Sequence, residues 1–349
     1  MSELIPLMMR GKPVAVRAPA RSGRLIDTFG RVHNNLRISV TDRCNLRCVY
    51  CMPEEVVFMD RAEILSFEEI AHFVRVSAPM GIDKIRLTGG EPLMRRDLSR
   101  LVRMLVDIPG IRDVGLTTNG LLLAEQAQEM YDAGLRRINI SLDTLDPVRF
   151  REVARRDGLD RVLKGIAAAK KAGFQPIKIN AVIIRGLTDQ DVAPLARYAR
   201  EHGLEMRFIE YMPIGAEAWE REKVVFAHEI FEQIEEAVCP LIPAADYDPS
   251  APAMDFVYTD GGGKVGMIAS VSRPFCLSCN RLRLTAEGKL RNCLFALNEV
   301  DVRPYLRGRC DDAALAEIIR RNVSEKWEGH EINTARFVKP QRTMHAIGG

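Results

Sequence analysis

Apolar residues along the chain switch repeatedly between two spacings. Over residues 35–40 they alternate with polar ones, which predicts a half-buried strand. Over 67–80 they recur every three or four positions, which predicts a helix that stops at Gly81. The switch then repeats. Strands are expected at 83–87, 111–116, 136–141, 176–184 and 205–212. Helices are expected at 97–106, 121–132, 146–171 (one or two of them) and 189–201. Ordered βα alternation predicts a parallel sheet with right-handed crossovers, in which function gathers at the C-terminal ends of the strands.

Beyond Val224 the pattern changes. A helix over 226–238 precedes a Pro/Ala/Asp-rich stretch, 240–253, that reads as a linker. Strands at 254–259 and 264–271 flank Asp260-Gly261-Gly262-Gly263, a hairpin signal. A second hairpin pairs 281–285 with 289–293, a helix covers 311–327, and the tail ends in Gly348-Gly349. The division expected is a flexible extension over 1–27, a βα core over 28–245 and a C-terminal α+β region over 246–349.

Composition narrows the class. With 349 residues, 47% hydrophobic and 28% charged, the chain is long enough for a large core. A net charge of +3 gives no bulk case for nucleic-acid binding. No apolar run is long enough for a membrane span, and the Arg/Pro-rich N-terminus lacks a secretory pattern. Eight cysteines without an export signal point to metal ligation in a reducing, cytoplasmic setting rather than to disulfides.

Three of those cysteines, Cys44, Cys48 and Cys51, form C-x3-C-x2-C on the loop after the first strand. Three thiolates would hold three irons of a [4Fe–4S] cubane and leave the fourth iron open for a ligand. A structural zinc site would need a fourth donor, and none lies nearby. Gly89-Gly90-Glu91-Pro92 follows the second strand, where glycines allow close backbone approach to a ligand or simply form a βα turn.

A second set, Cys276, Cys279 and Cys293, reads as another three-cysteine cluster site with an open iron. A zinc ribbon completed by Cys310 is the alternative. Arg281 and Arg283 follow the pair two residues apart, so on a strand both guanidinium groups share one face while Leu282 takes the other. Two forks on one face suit a phosphate. Arg37, Arg86 and Lys178 also fall on strands, and buried cations call for an anionic partner such as a nucleoside triphosphate.

On the first triad and the Gly-Gly-Glu-Pro turn, the chain resembles the radical S-adenosylmethionine (SAM) superfamily. The resemblance implies an incomplete (βα)6 barrel, a [4Fe–4S] cluster and reductive cleavage of SAM. It implies SAM contacts at Tyr50, Gly90, Ser141 and Met212. The paired triads, Arg281-Leu282-Arg283 and the terminal Gly-Gly resemble more narrowly the branch that opens molybdenum cofactor biosynthesis. That similarity runs from about Gly30 to Gly349. It implies two [4Fe–4S] clusters and GTP as substrate, held by Arg37, Arg86, Thr117, Lys178, Arg281, Leu282 and Arg283. It also implies joining of C3′ to C8, giving 3′,8-cyclo-7,8-dihydroguanosine 5′-triphosphate. Cys44, Cys48 and Cys51, with Arg281 and Arg283, would carry the chemistry, and Cys276, Cys279 and Cys293 would hold the second cluster. An electron donor, product transfer to cyclic pyranopterin monophosphate synthase and a homodimer are further implications.

Other signals drop out. Gly261-Gly262-Gly263-Lys264-Val265-Gly266 matches G-x-G-x-x-G but lies between two strands, so it lacks the strand–helix context of a dinucleotide site. The six His are scattered, and Cys239 and Cys310 read as packing residues. Two rival readings are a peptide-maturing radical SAM enzyme with an auxiliary cluster and a non-catalytic iron–sulfur or zinc protein that binds nucleic acid.

Overall fold

A computed structural model describes residues 23–215, 218–246, 248–308 and 311–348. Cys310 and Gly349 lie outside these, as does most of the N-terminal extension. The extension's last residues are not loose. Leu25 is buried, with its N–H on Met80 O at 3.0 Å and its carbonyl accepting from His33 N at 2.8 Å.

The βα units form in the expected order: β1 (Asn35–Ser39), α1 (Phe67–Ser77), β2 (Lys84–Thr88), α2 (Leu98–Val106), β3 (Asp113–Thr118), α3 (Leu123–Asp132), β4 (Arg137–Ser141), α4 (Pro147–Ala154), α5 (Leu159–Ala172), β5 (Ile177–Ile183), α6 (Val192–Glu201) and β6 (Glu205–Glu210). Local chemistry sets the boundaries. Ser66 and Glu69 form a capping box at the start of α1, and Asp146 caps α4 by accepting from the N–H groups of Val148 and Arg149. The long helical stretch after Asp146 splits in two because Arg155 and Gly158 both take positive φ.

Strands β1 to β6 are mutually parallel and adjacent in chain order. Along β1, Leu36 and Ile38 enter the core, while Arg37 shares the opposite face with Arg86 of β2 and the Gly115 position of β3. The register thus lines arginines up across neighbouring strands. Gly115 makes room for this, since a Cβ there would overlap the Arg86 guanidinium.

The C-terminal region adds α7 (Ala227–Ala237), β7 (Leu241–Pro243), β8 (Met254–Tyr258), β9 (Lys264–Ile268), β10 (Arg281–Leu284), β11 (Lys289–Arg291), β12 (Val300–Asp301), α8 (Arg303–Arg307), α9 (Asp312–Ser324) and α10 (Met344–Ile347). It does not form a separate layer. One sheet runs β12-β11-β10-β1-β2-β3-β4-β5-β6-β9-β8-β7, so the region extends both edges of the core. One sequence expectation changes here. The stretch read as a linker contains β7, which pairs antiparallel with β8 at the sheet edge, where Pro243 is tolerated. The two expected hairpins form, β8 with β9 and β10 with β11, and each also joins the core in parallel, β9 to β6 and β10 to β1.

Seven strand-to-strand steps separate β9 from β10, about 34 Å in a flat sheet at ~4.8 Å per step. Ile268 of β9 and Arg281 and Arg283 of β10 nevertheless line one cavity. The sheet therefore curls, and the β9–β10 connection, which carries Cys276 and Cys279, bridges its two sides along the cavity wall.

Candidate functional site

The cavity has a volume of about 280 Å³ and brings both triads together: Cys44, Cys48, Cys51, Cys276, Cys279 and Cys293 all line it. The first triad's loop is held by its backbone. Cys48 O accepts from the N–H of Cys51 at 2.9 Å and of Met52 at 3.2 Å, and the N–H groups of Arg47 and Val49 donate to Ala154 and Val153 at the end of α4. Asn119 approaches the Cys44 sulfur at 3.8 Å. Burial pushes the Cys44 thiol up to about 11 and raises Cys48 and Cys51 well above the ordinary thiol value, with neighbouring thiols adding to the effect on those two. Three half-buried thiols this close resist joint ionisation unless a cationic metal core replaces their protons.

The glycines of the Gly-Gly-Glu-Pro turn have a specific reason. A Cβ on Gly89 would strike Thr41 O, and one on Gly90 would strike Arg43 O. The close approach is used: Gly90 N–H donates to Thr41 O at 2.8 Å and Glu91 N–H to Arg43 O at 2.7 Å. This locks the turn against the cysteine loop, with Gly90 lining the cavity.

Glu91 is buried and ties the turn to the end of β3. It accepts from Leu93 N–H at 3.0 Å, the Thr118 hydroxyl at 2.6 Å and Asn119 N–H at 2.6 Å. Burial raises its carboxyl from 4.5 to about 7, against the pull of those donors. The folded chain therefore binds more protons than the unfolded chain between these values. Glu91's contribution to stability declines as pH rises through that window. Glu91→Gln offers only one accepting oxygen and turns an amide NH2 toward a donor. A loss of about 1–3 kcal/mol is expected, larger at pH 5 than at pH 8, and urea unfolding at the two pH values measures it.

Tyr50, Ser141 and Met212 line the same cavity. The Tyr50 hydroxyl donates to Asp143 at 2.7 Å, and Asp143 also accepts from Val182 N–H at 2.8 Å. Burial raises the Asp143 carboxyl to about 6, although both donors pull it down.

The second triad has a different electrostatic setting. Burial raises the Cys276 thiol to about 11. Burial also acts upward on Cys279, but Arg281 and Lys326 together outweigh it and hold that thiol well below its ordinary value. The β9–β10 bridge, which carries Cys276 and Cys279 of this triad, is fastened by Glu210, a buried carboxylate that accepts from the N–H groups of Val271 and Ser272, each at 2.7 Å.

The expected nucleotide residues divide. Arg37, Thr117, Arg281 and Arg283 line the cavity. Burial comes first among the influences lowering Arg37, and Arg283, Arg281 and Arg86 follow as like charges. Arg86 and Lys178 do not reach the cavity wall. Arg86 donates to Leu116 O at 3.2 Å. Lys178, expected to await an anionic ligand, is already ion-paired with Glu205 on the adjacent strand. The Leu282 side chain lies in the core on the other face of β10. The tail is close by: Gly348 O accepts from Arg283, and a Cβ on Gly348 would lie 2.8 Å from the Thr88 methyl.

Several lining residues escaped the sequence reading. Arg207 lies between buried Met206 and Phe208 on β6, so strand alternation alone would have turned it toward the cavity. Its Nε is buried without a hydrogen-bond partner. Asp143 likewise follows Ser141 across buried Leu142. Glu210 and Lys326 carried no such signal, because their partners are remote in sequence.

The seven described cysteines are free. Among the described residues no three His, Cys, Asp or Glu side chains converge on a point suited to one metal ion.

The Radical SAM superfamily model matches residues 38–199, and the Molybdenum Cofactor Synthesis C model matches residues 204–332. The fold is similar to that of Streptococcus suis SuiB bound to S-adenosylmethionine, with a TM-score of 0.61 at 13% identity over 87% of this chain and 67% of that one. Fold and site together define a radical SAM enzyme. A GTP 3′,8-cyclase of Rhodopirellula baltica is 48% identical over 93% of this chain and 92% of its own. One of Acidothermus cellulolyticus is 49% identical over 86% of this chain and 85% of its own. The chain belongs to the GTP 3′,8-cyclase family.

Proposed function

We propose that this chain cyclises GTP in the first step of molybdenum cofactor biosynthesis, with Cys44, Cys48 and Cys51 holding one [4Fe–4S] cluster and Cys276, Cys279 and Cys293 a second. The observation that carries the reading is the single cavity lined by both triads together with Arg37, Arg281 and Arg283. When bound, the first cluster and SAM would supply the 5′-deoxyadenosyl radical for abstraction of the 3′ hydrogen of GTP, and closure of C3′ onto C8 would be completed by one electron, ultimately from the external donor, and a proton.

The chain's own residues have distinct tasks. Tyr50, oriented by Asp143, flanks the adenine of SAM with Met212, while Ser141 meets the ribose and Gly90 the methionine portion. Arg37, Arg281 and Arg283, with Arg207, hold the triphosphate, and Thr117 completes that wall. Arg86 and Lys178 support it from beneath, and Leu282 contributes through its backbone. Bringing both sites into one enclosed space supplies proximity and keeps water from the radical. The same reading includes an external electron donor, transfer of the product to cyclic pyranopterin monophosphate synthase, a homodimer and a cytoplasmic setting. No helix among the described residues is long and apolar enough to cross a membrane.

The test is product analysis after anaerobic reconstitution and incubation with GTP, SAM and dithionite. The expected products are 3′,8-cyclo-7,8-dihydroguanosine 5′-triphosphate and 5′-deoxyadenosine, the latter accelerated by GTP. Acceleration by a peptide and not by GTP would favour the peptide-maturing alternative.

A further inference from the structure

Lys326, two residues beyond α9, is only 4% exposed. Its Nζ lies 3.4 Å from the Cys279 sulfur, 2.9 Å from Arg281 O and 3.5 Å from Cys279 O. All three partners belong to the segment carrying the second triad. No carboxylate among the described residues pairs with this ammonium, and a buried cation without a counter-charge costs several kcal/mol.

The lysine is also prevented from leaving. Arg31 donates to Trp327 O and Glu328 O, each at 2.6 Å, and to Cys276 O at 2.7 Å. Arg31 is itself held by buried Asp27 at 2.5 Å. Asn292 donates to Asn322 O at 2.8 Å, fastening α9 beside Cys293. The segment around Lys326 is therefore pinned to the second triad from two sides. Beside the first triad, Arg47 instead spends its guanidinium on the carbonyls of Cys44, Leu46 and Glu54.

We propose that Lys326 is the fixed counter-charge of the second cluster, a positioning residue that acts through Cys279 to raise that cluster's reduction potential. The proposal rests on reading the second triad as a cluster site. Adding an electron makes a cluster more negative. A fixed cation and an N–H···S contact both stabilise that state, so the reduced form is favoured.

The wild-type chain is first reconstituted anaerobically and its metals counted. About four irons with bound zinc, instead of about eight irons, would defeat the two-cluster reading before Lys326 is tested. With two clusters present, EPR-monitored redox titration compares wild type with Lys326→Met and Lys326→Arg. The Met variant is expected to shift the second cluster's one-electron equilibrium at least tenfold toward the oxidised form, about 59 mV, with the first cluster unmoved. The Arg variant stays near wild type. Selective loss of the second cluster from the Met variant, with retention in the Arg variant, supports the proposal equally. An unchanged second-cluster potential in a fully loaded Met variant overturns it, as does an Arg variant as impaired as the Met one. Lys326→Gln takes the place of the Met variant, with the same expectations, if that protein does not fold.

Discussion

Cys48→Ala is expected to bind about four irons instead of about eight and to form no 5′-deoxyadenosine above background. The loss should be on the order of 10³-fold or more, equivalent to at least about 4 kcal/mol of barrier. The loop itself should survive, because Cys48 anchors it through its carbonyl, which accepts from Cys51 and Met52, and not through its thiol. Iron content, the EPR signal of the remaining cluster and chromatography of the nucleoside separate loss of the cluster from loss of the fold. A variant that retained full iron and SAM cleavage would remove the first triad from the mechanism.

The second large effect concerns Arg283. It is buried beside Arg37 in register, and burial first and Arg281 second lower its pKa to about 9, so it remains charged at neutral pH. Arg283→Met is expected to reduce kcat/KM for GTP by roughly 30- to 1000-fold, about 2–4 kcal/mol, because a charge-assisted fork to a phosphate is lost in a dry site. SAM cleavage without GTP should be unchanged. The ligand-free variant should not melt earlier, since removing one of several crowded cations relieves repulsion. Arg283→Lys should fall between the two, keeping charge without the planar fork. Steady-state kinetics and thermal melts check all three. A Met variant with wild-type kcat/KM would remove Arg283 from the nucleotide site.

The opposite signs of these two readouts reflect how the cavity is built. Arg37, Arg86 and Arg283 share a row across three strands, where Arg283 and Arg86 act on Arg37 as like charges, a repulsion that the proposed triphosphate would offset. Lys178 does not belong with them in this respect. Its ion pair with Glu205 on the adjacent strand already gives it a counter-charge within the protein.

Much of this was legible along the chain because the forces involved are local. Alternating apolar spacing determined the six βα units, and the interval between cysteines determined that three thiols would share one loop, since a few residues of backbone cannot separate them far. Strand alternation likewise determined that Arg281 and Arg283 point together while Leu282 enters the core. Only the tertiary structure decided that β10 docks on β1 and β9 on β6, that the second triad therefore faces the first, and that Glu210 and Lys326 reach the bridge between them. Those contacts join residues tens to hundreds of positions apart. They follow from how a curled sheet closes over a shared cavity, which no short-range pattern encodes.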